Sequence, residues 1–124
     1  MSNNEKSNKY DIHERIFHFV VAVIKFLNTL PKTPTNLIFI NQITRSVSSM
    51  GANDQEADGA ITKKDFIHCY TIVRKEGKES VYWLRVIEAT NLNLKEDPKH
   101  LIQEGSEINS IVSSIIYNTI KNHK

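Results

Sequence analysis

The sequence predicts an all-α fold, an antiparallel up-down-up-down four-helix bundle, on three observations. Apolar residues recur at alternating steps of four and three through four long segments, the spacing of one helix face. The connections between them are short, which makes consecutive helices antiparallel neighbours. Helix-start signatures precede three segments: Asp11 with Glu14, Thr62 with Asp65, and Asp97 before Pro98. Each offers a side-chain oxygen, or a proline with its φ already set, to a first turn. The isoleucine-rich last segment has strand-forming side chains, but its helical spacing and capped start favour helix.

Helix 1 starts near Tyr10 and carries Ile12, Ile16, Phe19, Val23, Phe26 and Leu30 as its core row. A second row, Phe17, Val20, Ile24 and Leu27, lies one position along. The helix is therefore apolar over a wider arc than one bundle core requires, and these four residues are the expected oligomer interface. Pro31 and Pro34 break the helix, since proline removes a backbone donor and restricts the residue before it.

Helix 2 is predicted from about Thr35, with Leu37, Ile40, Ile43, Val47 and Met50 as its apolar row. Beside that row run Gln42, Ser46, Ser49, Asn53 and Glu56 at the same steps, nearer the core than a solvated face would be. Gly51 and Ala52 leave room for close approach, and Asp58-Gly59 marks the end. Helix 3 carries Phe66, Tyr70, Val73, Gly77, Ser80, Leu84 and Ile87, flanked by Cys69, Ile72, Trp83 and Val86, and stops at Asn91 and Asn93. Helix 4 carries Leu101, Ile108, Ile111, Val112, Ile115, Ile116 and Ile120, with Lys121 and Lys124 at the negative end of its dipole.

A chain of 124 residues has the size of one domain, here 10–124 after a polar leader, 1–9, expected to be disordered. The net charge of +2 is far from that of a dedicated nucleic-acid arm, so any electrostatic argument rests on where the charges lie. Cys69 is the only cysteine, which excludes an intrachain disulfide and a cysteine zinc cluster and fits a reducing cytoplasm. The longest apolar run, Phe19 to Ile24, is far short of the ~20 residues of a membrane span, and no signal-peptide pattern is present.

Nothing in the residues forms a catalytic or cofactor constellation. His13, His18, His68, His100 and His123 are scattered, and only Asp65 with His68 has the spacing of a bundle metal pair, at best half of a di-metal set. Glu76 and Glu79 are neighbours on one helix, not carboxylates facing each other across a sugar cleft. They are expected to pair with Arg45 or Arg74 and join Gln42, Asn53 and Glu56 in a structural polar network. His68, next to Cys69, points about 100° away around the helix and cannot act as its base, so a buried structural thiol is expected. The four glycines stand apart and make no phosphate loop. The chain therefore reads as a non-enzyme with no metal, no cofactor and no small-molecule substrate.

The back of helix 3 is the candidate binding surface. Lys64, His68, Thr71, Lys75, Lys78, Tyr82 and Arg85 follow at steps of four and three, and Lys63 and Arg74 widen the stripe. An ordinary solvated face accounts for it on one protomer. Its one-sided sign equally suits RNA or DNA phosphates or an acidic protein, above all if repeated around a ring. Tyr82 is placed either to stack on a base or to sit in an interface.

Several short stretches carry a family resemblance: Tyr10-Asp11, Leu30-Pro31-Lys32, Gln42 to Ser46, Ala52-Asn53 with Glu56-Ala57, Lys64-Asp65-Phe66, Lys75-Glu76, and Glu79 with Tyr82-Trp83-Leu84. In order and spacing, from Tyr10 to about Ile87, the chain resembles the bacterial four-helix-bundle family first noticed as products of intervening sequences in large-subunit ribosomal RNA genes. The resemblance implies an antiparallel bundle assembled as a homopentamer, without known catalytic activity. Relatives of that family include accessory proteins of diversity-generating retroelements, which bind a reverse transcriptase and nucleic acid through basic surfaces. The alternative is a structural scaffold or protein-interaction module with no nucleic-acid role. Asp54, Gln55, Gly77 and Ser80 depart from the pattern, and a mid-helix glycine costs about 1 kcal/mol relative to alanine unless a neighbour needs the space.

Overall fold

The computed structural model describes residues 11–122; the leader 1–9, the helix start at Tyr10, and His123 and Lys124 lie outside them. Four helices follow in order: α1, Ile12–Leu27; α2, Pro34–Asp58; α3, Lys63–Thr90; and α4, Lys99–Lys121. Their starts obey local chemistry. The Asp11 carboxylate accepts from Glu14 N at 2.9 Å, and the Thr62 hydroxyl accepts from Asp65 N at 3.1 Å, so orphan first-turn donors are satisfied by the expected caps. Thr33 caps α2 by accepting from Asn36 N at 3.1 Å, which puts Pro34 at the first helical position, one residue earlier than predicted. Asp97 Oδ1 accepts from Lys99 N at 2.9 Å, and Pro98 precedes α4. Asn93, with φ of 58°, turns the chain between α3 and α4.

The helices pack as α1 on α2, α2 on α3, α3 on α4 and α4 on α1, around one core. Paired residues run in opposite order along neighbours. Asn36 meets Asn91, Ser46 meets Ser80, and Asp54 meets Tyr70 between α2 and α3. Between α3 and α4, Lys63 reaches Asn122 and Glu88 reaches Lys99. The bundle is therefore antiparallel. Its core includes Ile16, Phe19, Val23 and Phe26 of α1, Ile43, Val47 and Met50 of α2, Tyr70, Val73, Leu84 and Ile87 of α3, and Leu101, Ile108, Val112 and Ile116 of α4.

Three apolar assignments are corrected, one of them Ile120, which is 55% exposed in the last turn of α4. Leu37 is 50% exposed, and Asn36 takes the interior position beside it. The Asn36 amide donates to Pro31 O and Asn91 Oδ1, both at 2.9 Å, and Asn91 Nδ2 donates back at 3.1 Å, so a buried amide has its partners. Leu27, expected in an oligomer interface, is buried in the core. α1 stops at Leu27, and the turn beyond it, closed by Leu30 N donating to Leu27 O at 3.2 Å, carries both leucines inward.

Three of the four family departures have structural accounts. Asp54 is buried and accepts from the Tyr70 hydroxyl at 2.7 Å; its Oδ1 also lies 2.9 Å from His13 Nδ1, and His13 Nε2 lies 3.2 Å from Asp58 Oδ1. Ser80 is buried, shares a 2.8 Å hydrogen bond with Ser46 Oγ and donates to Glu76 O. Gly77 lets α4 come close, because a Cβ there would lie 2.1 Å from Asn109 Oδ1. Nothing in the structure explains Gln55, which is exposed.

Candidate nucleic-acid interface

α3 separates its charges by side. With about 100° per residue, Arg74, Lys78 and Arg85 fall on the flank toward α4, and Glu76 and Glu79 on the flank toward α2. Contacts agree: Glu79 lies 3.8 Å from Arg45 of α2, whereas Lys78 and Arg85 line a groove shared with α4. The predicted stripe is outward-facing as expected: Lys63, Lys64, His68, Lys75, Lys78, Tyr82 and Arg85 are exposed, and Arg74 is half-buried. Lys63 donates to Asn122 O at 3.2 Å. The Tyr82 ring meets Trp83 edge-on at 5.1 Å, and Trp83 in turn lies 5.6 Å from Phe39 of α2.

The α3–α4 groove encloses about 550 Å³ and is lined by Lys78, Val81, Tyr82 and Arg85 on one side and Ser106, Asn109, Ser110 and Ser113 on the other. Among the described residues no carboxylate lines it. α4 turns its acids to α1 instead, where Arg15 forms two 2.8 Å hydrogen bonds with Glu104 and one of 2.6 Å with Glu107. The hydrogen bond from Arg15 holds the Glu107 carboxyl below its ordinary range. Glu88 is engaged by Lys99 at 3.1 Å. Among the described residues Lys78 and Arg85 form no ion pair and are free to meet an anion, and Glu88 lies in the adjoining hollow with Tyr82 and Arg85. The α4 half was absent from the sequence expectations; its signal was serine at steps of four and three, Ser106, Ser110 and Ser113, between the isoleucines.

The predicted polar network is only partly assembled. Gln42 accepts from Arg45 at 2.8 Å, and Arg45 approaches Glu79. Glu56 is exposed, Asn53 bonds back to Ser49 O of its own helix at 2.9 Å, and Glu76 Oε1 is buried without a hydrogen-bond partner. The side-chain hydrogen bonds between α2 and α3 are instead those of Asn36, Ser46 and Asp54, because these three positions face inward. Asp54 was readable as the next step of four beyond Met50 in the apolar row. Cys69 is half-buried, not buried, and desolvation pushes its thiol up from the ordinary value.

Of the expected oligomer face, Phe17 is 56% exposed and Val20 and Ile24 are half-buried; Leu27 does not belong to it. Phe17 and Val20 line a groove of about 330 Å³ with Gly51 and Ala52 of α2. A Cβ on Gly51 would lie 3.3 Å from Val20 Cγ2, the close approach that Gly51 permits. Among the described residues no three His, Cys, Asp or Glu side chains gather as a metal site, and no helix is long and apolar enough to cross a membrane.

The antiparallel four-helix bundle defines the class of protein, a small all-helical domain. Within it, the sequence model of the 23S rRNA-intervening sequence protein family matches residues 8–114, and the chain belongs to that family. The solved structure of a protein of unknown function from the S23 ribosomal protein family of Bacteroides thetaiotaomicron is similar, with 30% sequence identity and a TM-score of 0.76 over 86% of this chain and 98% of that one. No curated protein matches the chain.

Proposed function

We propose that the protein is a non-enzymatic, self-associating module of the cytoplasm that binds nucleic acid on the α4-facing basic side of α3. The observation that carries this reading is the charge sorting. Every carboxylate near the groove is turned away or engaged elsewhere, while Lys78 and Arg85 stay unpaired beside hydroxyl donors. Phosphate is the anion such a surface suits, through charge-assisted bonds from lysine and arginine. The apolar surface of Phe17, Val20 and Ile24 supports self-association, and the family resemblance points to a pentamer, in which the basic sides would repeat and their fields add.

The test is binding of labelled RNA and duplex DNA across a salt series. Wild type binds, with log K falling linearly against log salt. The exposed Lys75 and Lys78, reversed together to glutamate, abolish binding while leaving the bundle folded. Absence of wild-type binding at low salt overturns the reading in favour of a scaffold without a nucleic-acid role.

A further inference from the structure

We infer that the α3–α4 groove is a seat for an unpaired nucleotide, so that the protein prefers single-stranded nucleic acid over duplex. This rests on the basic side of α3 being the binding surface and adds what that surface distinguishes. A nucleotide asks for two kinds of contact, donors for its phosphate and a flat face for its base. Lys78 and Arg85 supply cationic donors seven positions apart on one helix, and Ser106 and Ser110 supply hydroxyls from the opposite wall. Tyr82 stands between the two cations, lines the same groove and, although its ring makes a T-shaped contact with Trp83, is 55% exposed. Its outer face is thus open to a stacked base.

Size decides between strand types. The groove of about 550 Å³ between two neighbouring helices has room for one nucleotide and not for the paired, stacked body of a duplex. A duplex keeps its base faces stacked inside and offers no ring to Tyr82, while its phosphates can be touched by the exposed Lys64 and Lys75 from outside the groove. Among the described residues no carboxylate lines the groove to oppose an incoming phosphate. Stacking on aromatic rings is tolerant of base identity, so the preference is for strandedness and not for sequence.

The experiment is fluorescence anisotropy of the full chain with a short labelled single-stranded RNA and with the duplex formed from it, at one salt concentration. Wild type binds the single strand more tightly. Tyr82→Ala, at an exposed position, weakens single-strand binding by about tenfold or more and duplex binding by much less; unchanged helicity by circular dichroism shows that the variant folds. Equal affinity for the two probes, or equal losses on both, overturns the nucleotide seat while the basic-surface reading stands. Failure of wild type to bind either probe overturns both.

Discussion

The hydroxyl of Tyr70 donates to Asp54 Oδ1 at 2.7 Å between α3 and α2, and both residues are almost fully buried. With His13 at 2.9 Å from the same oxygen, this contact also ties the start of α1 to the end of α2. Removing the carboxylate leaves a buried hydroxyl unpaired, whereas removing the hydroxyl leaves Asp54 with His13. Asp54→Ala therefore lowers stability by about 3 kcal/mol and Tyr70→Phe by about 1–2 kcal/mol, read from urea unfolding midpoints.

The same phenol sets an alkaline limit. Burial, and then its bond to Asp54, pushes the Tyr70 hydroxyl well above its ordinary value of 10.0. The folded state thus holds its proton after the unfolded chain has lost it, so this contribution is complete below pH 10.0 and shrinks as pH rises beyond it. The unfolding midpoint falls above that pH in wild type and falls less in Tyr70→Phe; parallel curves would refute the link.

Gly105 tests the closeness of α4. A Cβ there would lie 2.7 Å from Val81 Cγ2 and 2.9 Å from Cζ of the buried Phe19 ring. Gly105→Ala lowers the thermal midpoint by the equivalent of about 1–3 kcal/mol, despite alanine's higher helix propensity. At Gly77 the nearest obstacle is the Asn109 side chain, which can be shortened. Gly77→Ala combined with Asn109→Ala is accordingly more stable than Gly77→Ala alone.

The proposed self-association separates from folding along one helix. Val20→Lys and Ile24→Lys, at half-buried positions, leave the helical signal intact and convert the assembly to monomer by light scattering. Leu27→Lys, at 2% exposure, instead unfolds the chain, because an isolated buried ammonium is untenable.

Helix starts were legible because capping is local: Asp11 and Thr62 bond within three residues of themselves. The core rows were legible for the same reason, through periodicity. Asn36 was not, and Asp54 showed only its spacing from Met50, because polar residues acquire an interior place only when a partner from another helix, Asn91 or Tyr70, arrives to meet them. Leu27 lay on the second apolar row of α1, and only the path of the chain after the helix shows that it points inward. The cations of the candidate site were readable as one stripe on α3. Their split toward α4, and the serine wall opposite, belong to the packing of two helices and to the Arg15 clamp that draws Glu104 and Glu107 away.

The three polar pairs of the α2–α3 hairpin differ in chemistry: amide with amide at Asn36 and Asn91, hydroxyl with hydroxyl at Ser46 and Ser80, carboxylate with phenol at Asp54 and Tyr70. They therefore act as a keyed lock on sliding. A shift of α3 by one turn, about 5.4 Å, would bring Asn36 level with Ile87 and Asp54 level with Phe66. Neither hydrocarbon can answer a buried polar group, so leucine-and-valine packing that would tolerate several alignments is confined to one.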